Sequence, residues 1–170
     1  LSKLKEAEKA LRKGIELNYA DAAWNYYSLA NNIEEAEDIL KQCLKINQNH
    51  LLAALTLSAL KLHQGDQDLF KKFINSRYKN HPYIRSFKWI SSLQKLPELF
   101  FNRWSLFDSM VNQSKKDRPF YEFGVWRGVS FKYLINTFKK GYGFDTFRGL
   151  PEDWHEQKQG QYSANGIIPK

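Results

Sequence analysis

The stretch FYEFGVWRGVSFKYLINTFKKGYGFDTFRGLPEDW, residues Phe120–Trp154, decides the fold of the C-terminal part of this chain. It opens with β-forming apolar residues after a proline, and such a run is typical of a buried parallel strand over Phe120–Phe123. A turn with two glycines follows. Apolar residues then recur at the spacing of one helix face, at Phe131, Leu134, Ile135 and Phe138. The pattern predicts a strand, a glycine turn and a helix.

The same stretch continues into a second strand. The cations and glycine of Lys139–Gly141 are typical of a helix C-terminus, and Tyr142–Phe147 (YGFDTF) predicts a strand that ends at Asp145. Because a strand, a helix and a strand with short connections form a right-handed crossover, the two strands are expected to be parallel. The C-terminal part therefore begins as a βαβ unit.

Two carboxylates and two glycines fall where these strands end. Glu122, Gly124 and Gly128 have the spacing E-x-G-x-x-x-G, with the acid at the end of the first strand. Glycine lets a ligand approach the backbone closely, and the N-terminus of the next helix offers unpaired N–H groups. Asp145 falls where an acidic side chain can accept hydrogen bonds from both hydroxyls of a ribose. The pattern favours a cofactor that contains adenosine.

The glycine spacing distinguishes two classes of cofactor. It departs from G-x-G-x-x-G, so the pyrophosphate site of a dinucleotide is absent, and it resembles motif one of class I S-adenosylmethionine-dependent methyltransferases. The strings YEFGVWRGVS and YGFDTFRGLPEDW resemble the macrocin O-methyltransferase-like family, which typically has EFGVxxGxS followed by GFDSFEGLPEDW. The resemblance covers about Asn102–Lys170. It implies the first βαβ unit of a truncated Rossmann-like methyltransferase domain.

The resemblance also implies which residues would bind S-adenosyl-L-methionine. They are Glu122, Phe123, Gly124, Trp126, Arg127, Gly128, Ser130, Asp145, Thr146 and Phe147. Those next to the methionine half would be Glu122, Gly124, Gly128 and Ser130, whereas Asp145 would bind the ribose. Two interpretations stay open at two positions. Arg127 pairs either with the cofactor carboxylate or with a surface acid, and Trp154 either anchors its loop or contacts the ligand.

The implied reaction is O-methyl transfer to a hydroxyl of a sugar or another small molecule. A hydroxyl acceptor needs a general base or a metal, and in the resembling family those groups lie well beyond the ribose-binding strand. Here that region has only acids and a histidine in one loop, at Glu152, Asp153, His155 and Glu156. We therefore predict no metal site and assign no catalytic residue in this chain. A magnesium ion and its ligands would belong to the full-length enzyme.

The number of predicted strands sets a further limit. A methyltransferase core of this class is a larger sheet, whereas this sequence predicts two strands. A two-stranded parallel unit exposes apolar edges and does not close a pocket by itself. The chain is therefore expected to be the front fragment of a longer enzyme, with weak or no cofactor binding and no turnover of its own.

The first 79 residues contain no strand-like alternation, and apolar residues recur at helical spacing. The segments KEAEKALRKGIELN from Lys5 and EEAEDILKQCLKIN from Glu34 align at an offset of 29 residues. With a turn glycine at Gly65 and a terminal proline at Pro82, they resemble tetratricopeptide repeats. An ordinary helical bundle is the alternative. The apolar stripes are Leu4, Ala7, Leu11 and Ile15; Ala36, Ile39, Leu40, Cys43 and Ile46; and Phe70, Phe73 and Ile74.

Residues 80–117 are predicted to be a helical linker between the repeats of residues 1–79 and the methyltransferase part of residues 118–170. Tyr83–Leu93 would form one helix, and Pro97 suits the first turn of the next. That second helix would pack an apolar stripe against the following domain. The stripe is Leu99, Phe100, Trp104, Phe107 and Val111.

Composition argues against several classes of function. The chain has 26 Lys and Arg against 18 Asp and Glu, and this surplus is dispersed along the sequence, so no nucleic-acid interface is predicted. One cysteine, Cys43, permits no disulfide within the chain and is expected to pack as a small apolar side chain. The sequence shows no secretory signal and no membrane-length apolar segment. We therefore expect a soluble, cytoplasmic protein without a membrane partner.

Three functions stay open from the sequence. The first is an S-adenosylmethionine-dependent methyltransferase fragment with a small-molecule acceptor, whose helical repeats bind a protein partner. The second is a tetratricopeptide-like interaction module with a non-catalytic βαβ cap. The third is another nucleotide-dependent enzyme, such as a dehydrogenase, which the glycine spacing disfavours.

Overall fold

The computed structural model describes residues 2–154 and 157–170, and for residues 2–4 the backbone alone. Contacts divide the chain into two compact units, one up to Ser105 and one from Leu106 to Lys170. The described chain is mostly helical, with a small parallel sheet in the second unit. This agrees with the predicted order of a helical part followed by a βαβ unit.

Helices make up the regular structure that is described in the first unit. They are α1 (Ser2–Glu16), α2 (Ala20–Tyr26, extended by a 3₁₀ turn over Tyr27–Leu29), α3 (Ile33–Ile46), α4 (Leu51–His63), α5 (Asp68–Ile74) and α6 (Pro82–Ser91). Helix α7 (Arg103–Gln113) spans the boundary between the units. The second unit then contains β1 (Phe120–Phe123), α8 (Val129–Ile135) and β2 (Gly141–Phe144).

Side-chain caps fix where three of the helices begin. The Asn32 side chain accepts a hydrogen bond from the Glu35 N–H at 2.8 Å, and the Glu35 carboxylate accepts one from the Asn31 N–H at 2.9 Å. The imidazole of His50 accepts from Ala53 at the start of α4, and that of His81 accepts from Tyr83 at the start of α6. Each cap satisfies a backbone donor that the helix itself leaves unpaired.

The core of the first unit lies between consecutive helices. Its buried side chains include Ile15, Tyr26, Leu40, Cys43 and Leu60. Glu37 in α3 is also buried, and its carboxylate lies 2.8 Å from the Lys61 ammonium of α4. Because a buried carboxylate without a counter-ion is strongly unfavourable, this ion pair fixes the register of α3 against α4.

The predicted stripes are largely buried, with one correction. Ile15, Ala36, Leu40 and Phe70 are buried, and Leu4 has a side chain outside the described part. Ala7, however, is exposed on α1. The reason is length: α1 has 15 residues and its partner α2 has 7, so α2 covers only part of α1.

The single cysteine has the predicted environment. Cys43 is buried in α3, and its thiol donates to the backbone carbonyl of Ala20 at 3.3 Å. Burial raises the pKa of the Cys43 thiol. The thiol therefore stays protonated at neutral pH and packs as a small side chain.

The segment predicted as a linker packs differently from the prediction. The predicted helix after Pro82 is present as α6, and its Ile84 is buried with Leu55 and Phe70 in the first unit. Pro97 does not begin a helix. Helix α7 begins at Arg103, because the Asn102 side chain accepts hydrogen bonds from the N–H groups of the first turn.

The predicted stripe of this segment is consequently wrong in its first half. Leu99 and Phe100 precede α7 and are not on a helix, and Leu99 packs against the core of the first unit. In the second half, Phe107 of α7 stacks on Tyr133 of α8, with ring centroids 6.2 Å apart. The segment therefore divides between the two units and does not present one continuous apolar face.

The second unit contains the predicted βαβ connection. Strands β1 and β2 are parallel, with Phe120 paired to Gly141 and Phe123 to Phe144. β1 has the predicted bounds, whereas β2 ends one residue before Asp145. Helix α8 ends at Ile135, earlier than predicted, because a final turn follows in which the Leu134 carbonyl accepts from both Thr137 and Phe138.

Glycines let α8 and the sheet approach each other. A Cβ atom at Gly143 would lie 2.7 Å from Val125 Cγ2, and one at Gly141 would overlap the Phe120 ring. On the other face of the sheet, the rings of Tyr121 and Tyr142 stack, as do those of Phe123 and Phe144. All four aromatic side chains of that face are exposed. The described residues thus cover one face of this sheet.

We predict that Gly14→Ala destabilises the first unit. A glycine-to-alanine change inside a helix normally stabilises by about 0.5–1 kcal/mol, but here the new Cβ would lie 2.6 Å from the Cβ of Ala22 in α2. Overpacking of this kind costs about 1–3 kcal/mol. The free energy of unfolding is measured by chemical denaturation monitored by helical circular dichroism.

The double variant Gly14→Ala/Ala22→Gly is the matched test, because the second change removes the clashing methyl group. It should be more stable than the sum of the two single effects predicts. Lys9→Ala, an exposed change in α1, is the control. A Gly14→Ala protein more stable than the parent would contradict the close contact of α1 and α2.

Candidate functional site

A pocket of about 380 Å³ lies where β1 and β2 end. Its lining residues are Gly124, Trp126, Phe144, Asp145, Thr146, Gly149, Leu150, Pro151 and Tyr162. Four of these, Gly124, Trp126, Asp145 and Thr146, belong to the predicted cofactor-binding set. The carboxyl ends of neighbouring parallel strands are the usual ligand site of open α/β sheets, so we take this pocket, the strand-end pocket, as the candidate site.

The Asp145 carboxylate joins the loops that follow the two strands. One oxygen accepts from the backbone N–H of Trp126 at 2.7 Å, and the other accepts from the N–H of Phe147 at 2.6 Å. Burial raises the pKa of Asp145, but these backbone hydrogen bonds outweigh it, and the net effect lowers the pKa. The backbone amides of Val125 and Thr146 also lower this pKa. The group is therefore ionised at neutral pH, and Asp145 lines the pocket as a charged hydrogen-bond acceptor.

Gly124 gives a ligand room to approach the backbone. Its φ is +89°, and a Cβ built on it meets no atom within 4 Å. Its N–H donates to the Phe144 carbonyl at 2.9 Å, which continues the strand pairing by one residue into the turn. The positive φ favours glycine, and the open space at this position faces solvent and not packed protein.

Glu122 lies near Asp145 but outside the wall of the pocket. Its strand partner is Gly143, two residues before Asp145, so alternation along the strand directs Glu122 and Asp145 to the same side. One oxygen of Glu122 accepts from the Ser130 hydroxyl, and the other is buried without a hydrogen-bond partner. Such an unpaired buried oxygen is uncommon in proteins and calls for an explanation.

Other predicted positions have different surroundings. Phe123 belongs to the exposed aromatic face of the sheet, on the side opposite to Glu122. Pro169 lies against Gly128, since a Cβ at that glycine would be 2.9 Å from the proline Cβ. The Thr146 hydroxyl accepts from the Arg148 N–H at 3.2 Å and so shapes its own loop. The structure therefore brings together part of the predicted set and not all of it.

Arg127 does not form the predicted pair with a surface acid among the described residues, and its pairing with the cofactor carboxylate stays a prediction. Its guanidinium lies 4.7 Å from the centre of the Trp126 ring, and no acid of the described residues forms an ion pair with it. Arg127 also borders a second cavity, with Lys132 and Pro169. Helix α8 has 7 residues, so we assign no separate anion site to its N-terminus.

Residues 147–154 and 157–166 are the described parts of a loop that closes one side of the pocket. Leu150 exchanges backbone hydrogen bonds with Gln161 and Gly160, and Trp154 pairs with Gln157. The Phe147 carbonyl accepts from Ala164 and Gly166. Sequence reasoning did not assign Gly149, Leu150, Pro151 or Tyr162 to the site. The resemblance implies that the segment GLPEDWHE, which contains Gly149, Leu150 and Pro151, is a loop near the pocket, whereas Tyr162 lies outside both motifs and had no signal.

Trp154 is exposed and does not line the pocket, although its backbone pairing anchors the loop. His155 and Glu156 lie outside the described residues. Among the described residues no cluster of three or more potential metal ligands is found. The described helices include none that is long and apolar enough to cross a bilayer.

Comparison with protein families, with curated proteins and with solved structures finds no match to this chain. The functional assignment consequently rests on the motifs and on the geometry of the strand-end pocket.

We predict that Asp145→Asn loosens the two loops at the strand ends. An asparagine has one acceptor oxygen, so one of the two N–H groups that now face a carboxylate would meet an amide NH₂. Hydrogen bonds to a charged group contribute about 1.5–3 kcal/mol, and we expect hydrogen exchange of the Trp126 and Phe147 amides to accelerate about tenfold or more.

The pH dependence follows from the same hydrogen bonds. Because the folded pKa is lowered from its ordinary value of 3.8, the stabilisation is fully present above that value and is lost as the pH falls through the lowered one. Asp153→Asn is the control, since Asp153 also accepts a backbone N–H but is exposed. Unchanged amide exchange in Asp145→Asn would show that the carboxylate does not join the loops.

Proposed function

We propose that the second unit is the cofactor-binding part of an S-adenosylmethionine-dependent methyltransferase that methylates a hydroxyl of a sugar or another small molecule. The observation that carries this proposal is the strand-end pocket, in which a glycine with open space and an ionised carboxylate stand at the ends of two neighbouring parallel strands. The motifs EFGVWRG and GFDTF supply the same residues in the order that the resembling family has.

The residues present fit the adenosyl part of this cofactor. Asp145 brings an ionised carboxylate, which is an acceptor for ribose hydroxyls, to the wall of the pocket, and Gly124 leaves room beside the backbone. The contact of Glu122 with the methionine half stays a prediction, because Glu122 does not line the strand-end pocket and its unpaired oxygen is buried. When bound, the cofactor would supply an electrophilic methyl group on a sulfonium, and the chain's own contribution is to position it.

The described residues offer no matching group for activation of the acceptor. A hydroxyl needs a base or a metal, and the described part of the chain has no cluster of metal ligands. Its sheet has two strands and one uncovered aromatic face, which is typical of part of a larger sheet. We therefore infer that catalytic residues and any magnesium site belong to a longer enzyme, and that this chain binds the cofactor weakly.

The first unit is proposed as a tetratricopeptide-like module that binds a protein partner, in a cytoplasmic enzyme. Supporting this, consecutive helices pack against each other in order, and small residues meet where α1 contacts α2. An ordinary helical bundle with the same contacts is the alternative for the fold of this unit.

A second function is favoured by one observation. A groove of about 390 Å³ in the first unit is lined mainly by apolar side chains of α4, α6 and residues 96–101. If this groove carries the biological role, the chain is an interaction module and the βαβ unit is a structural cap. The two functions differ in what they predict for the strand-end pocket, because a cap needs no cofactor.

We expect S-adenosylhomocysteine to bind the full chain with a dissociation constant in the millimolar range, detected by saturation transfer from protein to ligand protons. Gly124→Asn should abolish the transfer, because asparagine tolerates a positive φ but places a side chain in the space that the ligand needs. Gly160→Asn is the matched control, since Gly160 also has a positive φ and open space but lies outside the pocket.

NAD⁺ at the same concentration should not displace S-adenosylhomocysteine; efficient displacement would favour the dehydrogenase alternative. Micromolar affinity in a calorimetric titration would refute the inference of an incomplete site. Absence of any saturation transfer in the parent chain would count against the methyltransferase and in favour of the cap.

A further inference from the structure

Two aromatic rings meet at the strand-end pocket, and one of them has no role in the function proposed above. Trp126 follows β1, and Tyr162 belongs to the loop segment of residues 157–166. Their ring centroids lie 6.4 Å apart and their planes are nearly perpendicular, at 86°. Both residues line the pocket together with Asp145. We call this pair the aromatic corner.

The aromatic corner is held in place by backbone conformations that are uncommon for large residues. Trp126 has φ +49° and Tyr162 has φ +63°, a region that bulky side chains seldom adopt. The Asp145 carboxylate accepts the Trp126 N–H, and the Tyr162 hydroxyl donates to the Gln157 side chain at 3.1 Å. The surrounding contacts therefore impose the direction of both rings.

Much of the surface of both rings is open to solvent. Trp126 is 41% exposed and Tyr162 is 52% exposed, although the two lie in one pocket. The Arg127 guanidinium lies over the Trp126 ring, and a cation in this position interacts favourably with the ring. The corner thus offers flat apolar surface beside a carboxylate, which suits a planar heterocycle that carries a hydroxylated sugar.

We propose that the aromatic corner binds the purine base of the adenosyl ligand, with the base stacked on one ring and in edge contact with the other. This rests on the proposed function, since the same ligand would place its ribose hydroxyls at Asp145. Leu150 and Pro151 also line the pocket and add apolar surface. Tyr162 is then a binding residue, although it lies outside both sequence motifs.

The proposal is tested by mapping which protons of S-adenosylhomocysteine receive saturation from the full chain. In the parent, adenine H2 and H8 should receive the strongest transfer. Tyr162→Asn removes the ring but tolerates the positive φ, so the fold is kept. We expect the adenine signals to fall at least twofold relative to the methionine methylene signals, and the affinity to fall about tenfold, within the range known for loss of a stacking ring.

Tyr162→Phe is the matched control, because it keeps the ring and removes the hydroxyl; its adenine signals should stay within a factor of two of the parent. Equal adenine signals in Tyr162→Asn and the parent would overturn the aromatic corner and leave the methyltransferase proposal standing. Absence of transfer to any ligand proton in the parent would overturn both. Circular dichroism and the exchange of the Trp126 amide verify that each variant is folded.

Discussion

The candidate site depends on one carboxylate and the two backbone N–H groups that it accepts. Asp145 follows β2, yet one of its oxygens binds the N–H of Trp126 in the turn after β1 and the other binds Phe147 in its own loop. Two strands of four residues each could not by themselves fix the loops that follow them. The charge of the carboxylate makes both hydrogen bonds stronger than neutral ones, so the pocket between the loops has a defined shape.

The close packing of α8 on the sheet is the second interaction that fixes the turn after β1. Gly141 and Gly143 have no side chains that would fill the space between helix and strands. That space is occupied by the side chains of Phe120, Val125 and Phe131. Within this layer the Ser130 hydroxyl donates to one oxygen of Glu122, while the other oxygen stays unpaired. The packing of α8 on the sheet and the hydrogen bond from Trp126 to Asp145 therefore both fix the turn between β1 and α8. The position of this turn does not depend on the exposed aromatic face.

Sequence patterns predicted those structural features that depend on residues close together in the chain. β1 has the predicted bounds, because a proline and a glycine turn limit it on both sides. Pro97 permitted a helix start, but Asn102 supplies the cap that decides where α7 begins. Tyr162 could not be assigned to the site, because its place depends on hydrogen bonds between Phe147 and residues 164 and 166. Such contacts between distant residues leave no periodic signal in a sequence.

The two faces of the sheet differ in what covers them. At the strand ends, hydrogen bonds join residues far apart in sequence, from the Trp126 N–H to Asp145 and from the Gly166 N–H to the Phe147 carbonyl. The proposed adenosyl site therefore depends on the βαβ unit together with the segments that follow it. On the face opposite to α8, four exposed aromatic rings have no cover from the described residues, and parallel sheets are normally covered on both faces. Phe144 is one of these four rings and also lines the strand-end pocket, so the proposed cofactor site uses side chains of both faces. Under the proposed function, cofactor binding and activation of the acceptor would depend on different residues, because the described residues contain no cluster of metal ligands.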